Sequence, residues 1–208
     1  MSKQISISQT DLINFSASNG VTKISKVKSI YSRDDYHPAQ DFYKSLREEL
    51  IDYVKLKKSK KELFDFLDDL PDSKKYPKFL PLIKGYLSLI GRKKPLWFKP
   101  PQKIWTYKSL DVRINPELGF DINGEKFIIK LYFKEEPIGK KNALLHLRLM
   151  QKTLCTGIYT GYQCVILDLR NKKQHQLPNN FDISIDALLE GEAESFLKIW
   201  SSFDRKSA

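Results

Sequence analysis

The sequence predicts an α+β protein, with a helical N-terminal half packed against a mixed β-sheet flanked by helices. Three observations carry this reading. Between positions 42 and 90 apolar residues recur at three- and four-residue spacing, the stripe of a helix facing a core. Beyond the prolines at 95, 100 and 101 the pattern changes to alternation, as in strands with one face buried. A leucine-rich helical stretch then separates two strand-like runs, which sets helices against the sheet. The change of pattern divides the chain into a helical, basic N-terminal region over 1–95 and an α/β region over 96–208.

The elements follow in order. Thr10 is placed to cap a short helix over 11–17, with Gly20 beyond its end. After His37-Pro38, the residues Phe42, Leu46, Leu50, Tyr53 and Val54 predict an amphipathic helix over 39–56. A lysine-rich break at 57–61 leads to a second helix carrying Leu63, Phe64, Phe66, Leu67 and Leu70, which Pro71-Asp72 ends. A third spans 77–90, with Gly91 as its C-cap and Pro81 blurring its start. Residues 92–102, with three prolines, cannot continue a helix and read as a connection. Strands are expected over 103–107 and 110–114, followed by a hairpin, 118–122 and 125–133, around Asn123-Gly124. Asn-Gly favours a two-residue type I′ turn because both central positions need positive φ. A helix over 143–154, strands over 162–169 and 172–177, and an amphipathic helix over 186–203 complete the chain.

Composition narrows the function. The chain has 208 residues, a formal net charge of +11 and 41% hydrophobic residues, which fits a folded protein. Two cysteines exclude a disulfide scaffold and a cysteine-based zinc finger. No apolar run approaches the roughly 20 residues of a membrane span. The polar start of the chain lacks the apolar stretch of a secretion signal, so a cytoplasmic location is expected.

The charge is concentrated. Residues 1–108 carry 22 basic and 12 acidic side chains, whereas residues 109–208 carry 14 and 13. From 73 to 110 no acidic residue occurs, while Lys74, Lys75, Lys78, Lys84, Arg92, Lys93, Lys94, Lys99, Lys103 and Lys108 do. Tyr76, Phe79, Tyr86, Trp97, Phe98, Trp105 and Tyr107 are interleaved with them. Basic side chains neutralise phosphates and flat rings stack on unpaired bases. Lys74, Lys75, Lys78, Arg92, Lys93, Lys94, Lys99, Lys103, Trp97 and Trp105 are therefore the candidate contacts to DNA or RNA. The same apolar residues on 78–91 also form the buried face of a helix, which turns the lysines outward. No helix combines a dense basic face with an exposed apolar one, so no membrane partner is expected.

Counting outward from Asn123-Gly124 pairs Asp121 with Lys126, Leu118 with Ile129 and Glu117 with Lys130. Alternation puts Leu118, Phe120, Ile122, Phe127, Ile129, Leu131 and Phe133 on a core face. Glu117, Gly119, Asp121, Lys126, Ile128, Lys130 and Tyr132 share the other face. Two acid–lysine pairs on one face are ordinary cross-strand pairing on a wet surface.

Element order admits a sharper reading. Helix, three strands, helix, strand over 39–170 resembles the core of the PD-(D/E)XK nuclease-like superfamily, a restriction-endonuclease-like fold. Pro116-Glu117 resembles the first motif with Glu in place of Asp, Lys130 stands where the family lysine would lie, and Gln151 resembles a glutamine of some branches. The resemblance implies a metal-dependent phosphodiesterase in which carboxylates hold Mg²⁺ or Mn²⁺ to activate water and the lysine positions or deprotonates that water. Glu117, Asp121 and Lys130 are then the catalytic candidates, with Glu117 and Asp121 as metal ligands. The family acid two positions before the lysine is Ile128, which cannot bind a metal, so Asp121 or Asp111 would have to substitute from a neighbouring strand. A second placement, Asp168 with Arg170, has the spacing, but Arg170 stays protonated and cannot be a base. An inactive, binding-only relative fits the same residues.

Other chemistry is sparse. No phosphate-binding glycine loop occurs. His37, His146 and His175 lack ligand spacing, and His146 reads as a core-edge residue on a leucine-rich helix. Cys155 and Cys164 are nine apart, and Cys164, in a buried strand, reads as inert. The expected function is nucleic-acid binding on a nuclease-like core, degenerate or metal-dependent. The alternative is a non-enzymatic interaction module, or small subunit of a larger complex, whose basic stretch docks an acidic protein or a guide RNA.

Overall fold

The structure, a computed structural model, describes residues 4–33, 41–90 and 93–204. It is a mixed α+β fold with seven α-helices and two mixed sheets among the described residues. Strand β1 (Ile5–Ser8) runs straight into α1 (Gln9–Ser16), because Ser8 is extended and also caps the helix. The Ser8 hydroxyl accepts from the Asp11 amide at 3.1 Å, and Asp11 accepts from the Ser8 amide at 3.2 Å. The cap is thus Ser8 and not Thr10, which lies inside the helix. Helix α2 (Val21–Tyr31) follows, where the sequence shows no clear stripe; Val27 is its one buried residue.

Helix α3 (Lys44–Lys55) covers most of the expected 39–56, of which positions 39 and 40 lie outside the described residues, as do His37, Gly91 and Arg92. Ser59 and Glu62 form a capping box that starts α4 (Lys60–Asp68). Helix α5 (Tyr76–Ile90) contains Pro81 near its N-terminal end. It approaches the sheet so closely at Gly85 that a Cβ there would run into the Leu169 carbonyl. The expected connection over 92–102 contains β2 (Leu96–Phe98), a short strand flanked by prolines.

Strands β3 (Lys103–Tyr107) and β4 (Leu110–Ile114) form a hairpin, and β1 adds parallel to β4, with Ile5 opposite Leu110. The larger sheet has the order β2-β5-β6-β7-β8, with β5 (Leu118–Ile122), β6 (Glu125–Tyr132), β7 (Gln163–Asp168) and β8 (Lys173–Gln176). Its β5–β6 register is the one counted from the turn, Phe120 opposite Phe127 and Asp121 opposite Lys126. Asn123 and Gly124 both have positive φ, 55° and 88°. Strands β6 and β7 are parallel, joined by α6 (Lys140–Leu154), and α7 (Ser184–Asp204) is the last element among the described residues.

The larger sheet is covered on both faces. Leu46, Leu50, Leu63, Leu67, Phe79 and Leu82 from α3, α4 and α5 pack on Leu118, Phe120, Ile129, Leu131, Val165 and Leu167. On the other face Ile128, Cys164 and Ile166 join a core built from α6, α1, α2, α7 and the smaller sheet. This corrects the expectation of a wet second face: Ile128 is fully buried in the core that α1, α6, α7 and the smaller sheet share, and Glu117 is only 9% exposed. No helix among the described residues is long and apolar enough to cross a membrane.

Candidate functional site

Glu117 stands one residue before β5. Its amide donates to the Ile129 carbonyl at 3.0 Å, so the ladder extends to it and stops at Pro116, which has no N–H. The Leu131 amide on β6 donates to the Glu117 carboxylate, whose Oε2 accepts from it at 2.8 Å. Oε1 accepts from Lys130 Nζ at 2.6 Å and faces Arg47 Nε at 3.6 Å. Lys130 also donates to the Asn115 carbonyl at 3.1 Å, and Arg47, on α3, pairs with Asp41 at 2.8 Å. Both oxygens of this nearly buried carboxylate are engaged, one by two cations.

The group lines an open groove of about 1800 Å³ that runs past β1, α1, the β2–β3 connection and the end of α7. Cationic side chains reach it from Arg33, Arg47, Lys99, Lys108, Arg113, Lys130 and Lys198, and carboxylates from Asp11, Asp41, Glu117, Glu194 and Asp204. Arg33 bridges to Asp11 at 3.0 Å and Lys108 to Glu194, whereas Lys99 and Arg113 form no ion pair among the described residues.

Behind Glu117 lies a smaller cavity of about 240 Å³, which shares Thr10, Arg47, Glu117 and Lys130 with the groove and adds Asn14, Tyr43, Lys134 and His146. His146 is 6% exposed and its Nδ1 has no hydrogen-bond partner among the described residues. Burial first, then the charges of Lys130 and Lys134, push its pKa down to about 3, so the ring is neutral near pH 7.

The structure brings Glu117 and Lys130 together and leaves Asp121 apart. Asp121 is four residues along β5, roughly 13 Å at about 3.3 Å per residue, and its carboxylate accepts from the Gly124 amide at 2.9 Å. Asp111 lies in the smaller sheet and accepts from the Thr106 hydroxyl at 2.6 Å. Asp168 is fully buried and accepts from the Ile138 amide and from Asn171, while Arg170 donates to the Lys78 carbonyl. Gln151 accepts from Arg148, roughly 140° around α6 from His146 at about 100° per residue. No group of three or more metal-ligating side chains occurs among the described residues. One carboxylate already shared by a lysine, an arginine and an amide does not fit Mg²⁺ or Mn²⁺, which need oxygen ligands and little competing positive charge.

The basic stretch divides. Trp97 and Lys99 line the same groove as Glu117 and Lys130. Trp97 is half-buried on the α3–α5 core, with Lys55 Nζ 5.5 Å from its ring centre. Lys74, Lys75 and Lys78 lie at the start of α5, where Lys78 pairs with Glu135 at 2.7 Å. A chain of ring contacts joins them to the site: Lys75 over Phe42, Phe42 against Tyr43, Tyr43 stacked on Phe133, and Arg47 over Phe133. Lys93 and Lys94 are exposed after α5. Lys103 donates to Thr156 at 2.6 Å, and Trp105 stacks on Tyr107 within the smaller sheet. Arg92 lies outside the described residues. Sequence reasoning missed Arg47 and the cavity role of His146; Arg47 sits among ordinary helix charges, and nothing in its spacing points to a residue 70 positions away. No family model and no curated protein matches the chain.

Proposed function

We propose that this chain binds nucleic acid along the groove lined by Trp97, Lys99, Arg113, Arg47 and Lys130, on a nuclease-like core that does not cut. One observation carries the reading: the carboxylate at the family's metal-binding position is engaged by Lys130, Arg47 and the Leu131 amide. The sheet supports the resemblance, since β2, β5 and β6 are antiparallel neighbours and β7 returns parallel to β6 after α6. Cations without acidic partners among the described residues, Lys99 and Arg113 in the groove and Lys93 and Lys94 near its β2 side in sequence, supply contacts to phosphate.

The test is anisotropy of labelled single- and double-stranded DNA and RNA at two salt concentrations without divalent metal. Binding that weakens steeply with salt, and no cleavage on adding Mg²⁺ or Mn²⁺, is the expected result. No binding at low salt overturns the nucleic-acid reading. Cleavage that Glu117→Gln abolishes overturns the non-cutting one. The second reading, a protein-docking module, is favoured by the five carboxylates among the groove's cations. A partner that stays bound through purification at moderate salt, with no nucleic-acid binding, would select it.

A further inference from the structure

Two thiols outside the groove meet where α6 ends. Cys155 is the C-cap residue of α6, and Cys164 is the second residue of β7. Their sulfurs are 3.5 Å apart, and both thiols are free. Cys164 is buried at 6% exposure, while Cys155 is half-exposed and also donates to the Tyr162 carbonyl at 3.2 Å. The turn between them bends through Gly157 and Gly161, both at positive φ, and exposes Ile158 at its tip. Lys103 Nζ is fixed on the Thr156 hydroxyl next to Cys155.

We propose that Cys155 and Cys164 form a redox-active dithiol that small disulfides oxidise to an intramolecular disulfide. The sulfurs need to close by about 1.5 Å to reach a normal bond. A turn with two glycines and a helix-end cysteine can supply that movement. The roles of the two thiols differ by position. Cys155 is accessible and has a cation beside it. The hydrogen bond from Cys164, followed by the Lys103 charge, pulls its pKa below the usual thiol range against its partial burial. Cys164 is shielded, and its pKa is raised by the Cys155 hydrogen bond and by burial. Cys155 thiolate therefore attacks the small disulfide, such as oxidised glutathione, and one glutathione thiolate leaves. Cys164 then gives its proton to solvent and attacks the Cys155 sulfur, and the second glutathione leaves. The two electrons and the two hydrogens of the dithiol end on two molecules of glutathione.

The test treats the native full chain with excess oxidised glutathione, quenches with acid and reads the intact mass and the linked peptides. The expected product is a monomer two hydrogens lighter, with no glutathione retained and with the peptides carrying Cys155 and Cys164 joined; a dithiol reductant reverses it. Cys164→Ser should stop halfway, with one glutathionyl group stable on Cys155. Cys155→Ser should slow modification by about tenfold or more, since only the shielded thiol remains. A wild-type chain that keeps a glutathionyl group on Cys155, joins two chains or does not react overturns the proposal. That wild-type result decides even where a serine variant fails to fold.

Discussion

The two ends of the β5–β6 hairpin carry the same pattern and differ in everything else. Each presents an acid opposite a lysine on the same face of the sheet, Asp121 with Lys126 and Glu117 with Lys130. At the turn end, Asp121 accepts from the Gly124 amide and Lys126 sits over the Tyr162 ring, 5.2 Å from its centre; the two form no ion pair among the described residues. At the open end, Glu117 and Lys130 meet at 2.6 Å under cover, with Arg47 and the Leu131 amide on the same carboxylate. The difference comes from what lies over each end, and not from the strands. Register pairs the charges; burial and the end of the ladder decide whether the pair becomes a site.

Breaking the covered end should have the largest effect. Glu117→Ala strands the Leu131 amide and removes the carboxylate from a half-buried lysine, so urea unfolding should show a loss of about 2–4 kcal/mol. A double-mutant cycle sharpens this. Glu117→Gln with Lys130→Met should show a coupling of about 2–3 kcal/mol, against less than about 0.5 kcal/mol for Asp121→Asn with Lys126→Met. Equal couplings at the two ends would remove the distinction.

The cavity behind Glu117 predicts a pH dependence. His146 has a folded pKa near 3 and an ordinary value of 6.5 when unfolded. The unfolded chain therefore binds the extra proton between these values. This contribution is fully present above pH 6.5 and is lost as pH falls toward 3. Stability should drop by about 2 kcal/mol between pH 7 and pH 5, and His146→Met should flatten that drop. Gly124→Ala, at φ 88°, should cost about 1 kcal/mol or more through backbone strain. Asp121→Ala should be the mildest, about 0.5–1 kcal/mol, from one lost turn hydrogen bond.

The helices from α3 to α7 and the hairpin register were legible because each rests on local signals, apolar spacing or an Asn-Gly turn. Three elements were not, for physical reasons. The sequence of β1, Ile-Ser-Ile-Ser, is too short to read without its partner β4, about 105 positions later. Helix α2 buries only Val27 and is held by contacts to α1 and α7. Strand β2 has three residues among prolines, and its Phe98 packs where Gly119 leaves room. At the site, the Glu117–Lys130 pair followed from counting the register. Arg47 and His146 arrive from helices whose own spacing reports only a core face, so their convergence depends on how α3 and α6 pack on opposite sides of one sheet.

The parallel pairing of β1 with β4 also bears on synthesis. While the ribosome is still translating the middle of the chain, Ile5 and Ile7 have no strand to join, and α1 and α2 wait longer still for α7. These elements thus wait on partners made much later. A nascent chain halted before residue 184 would keep α1 and α2 open to chaperones and proteases, whereas α3, α4 and α5 could dock once β6 and β7 had emerged.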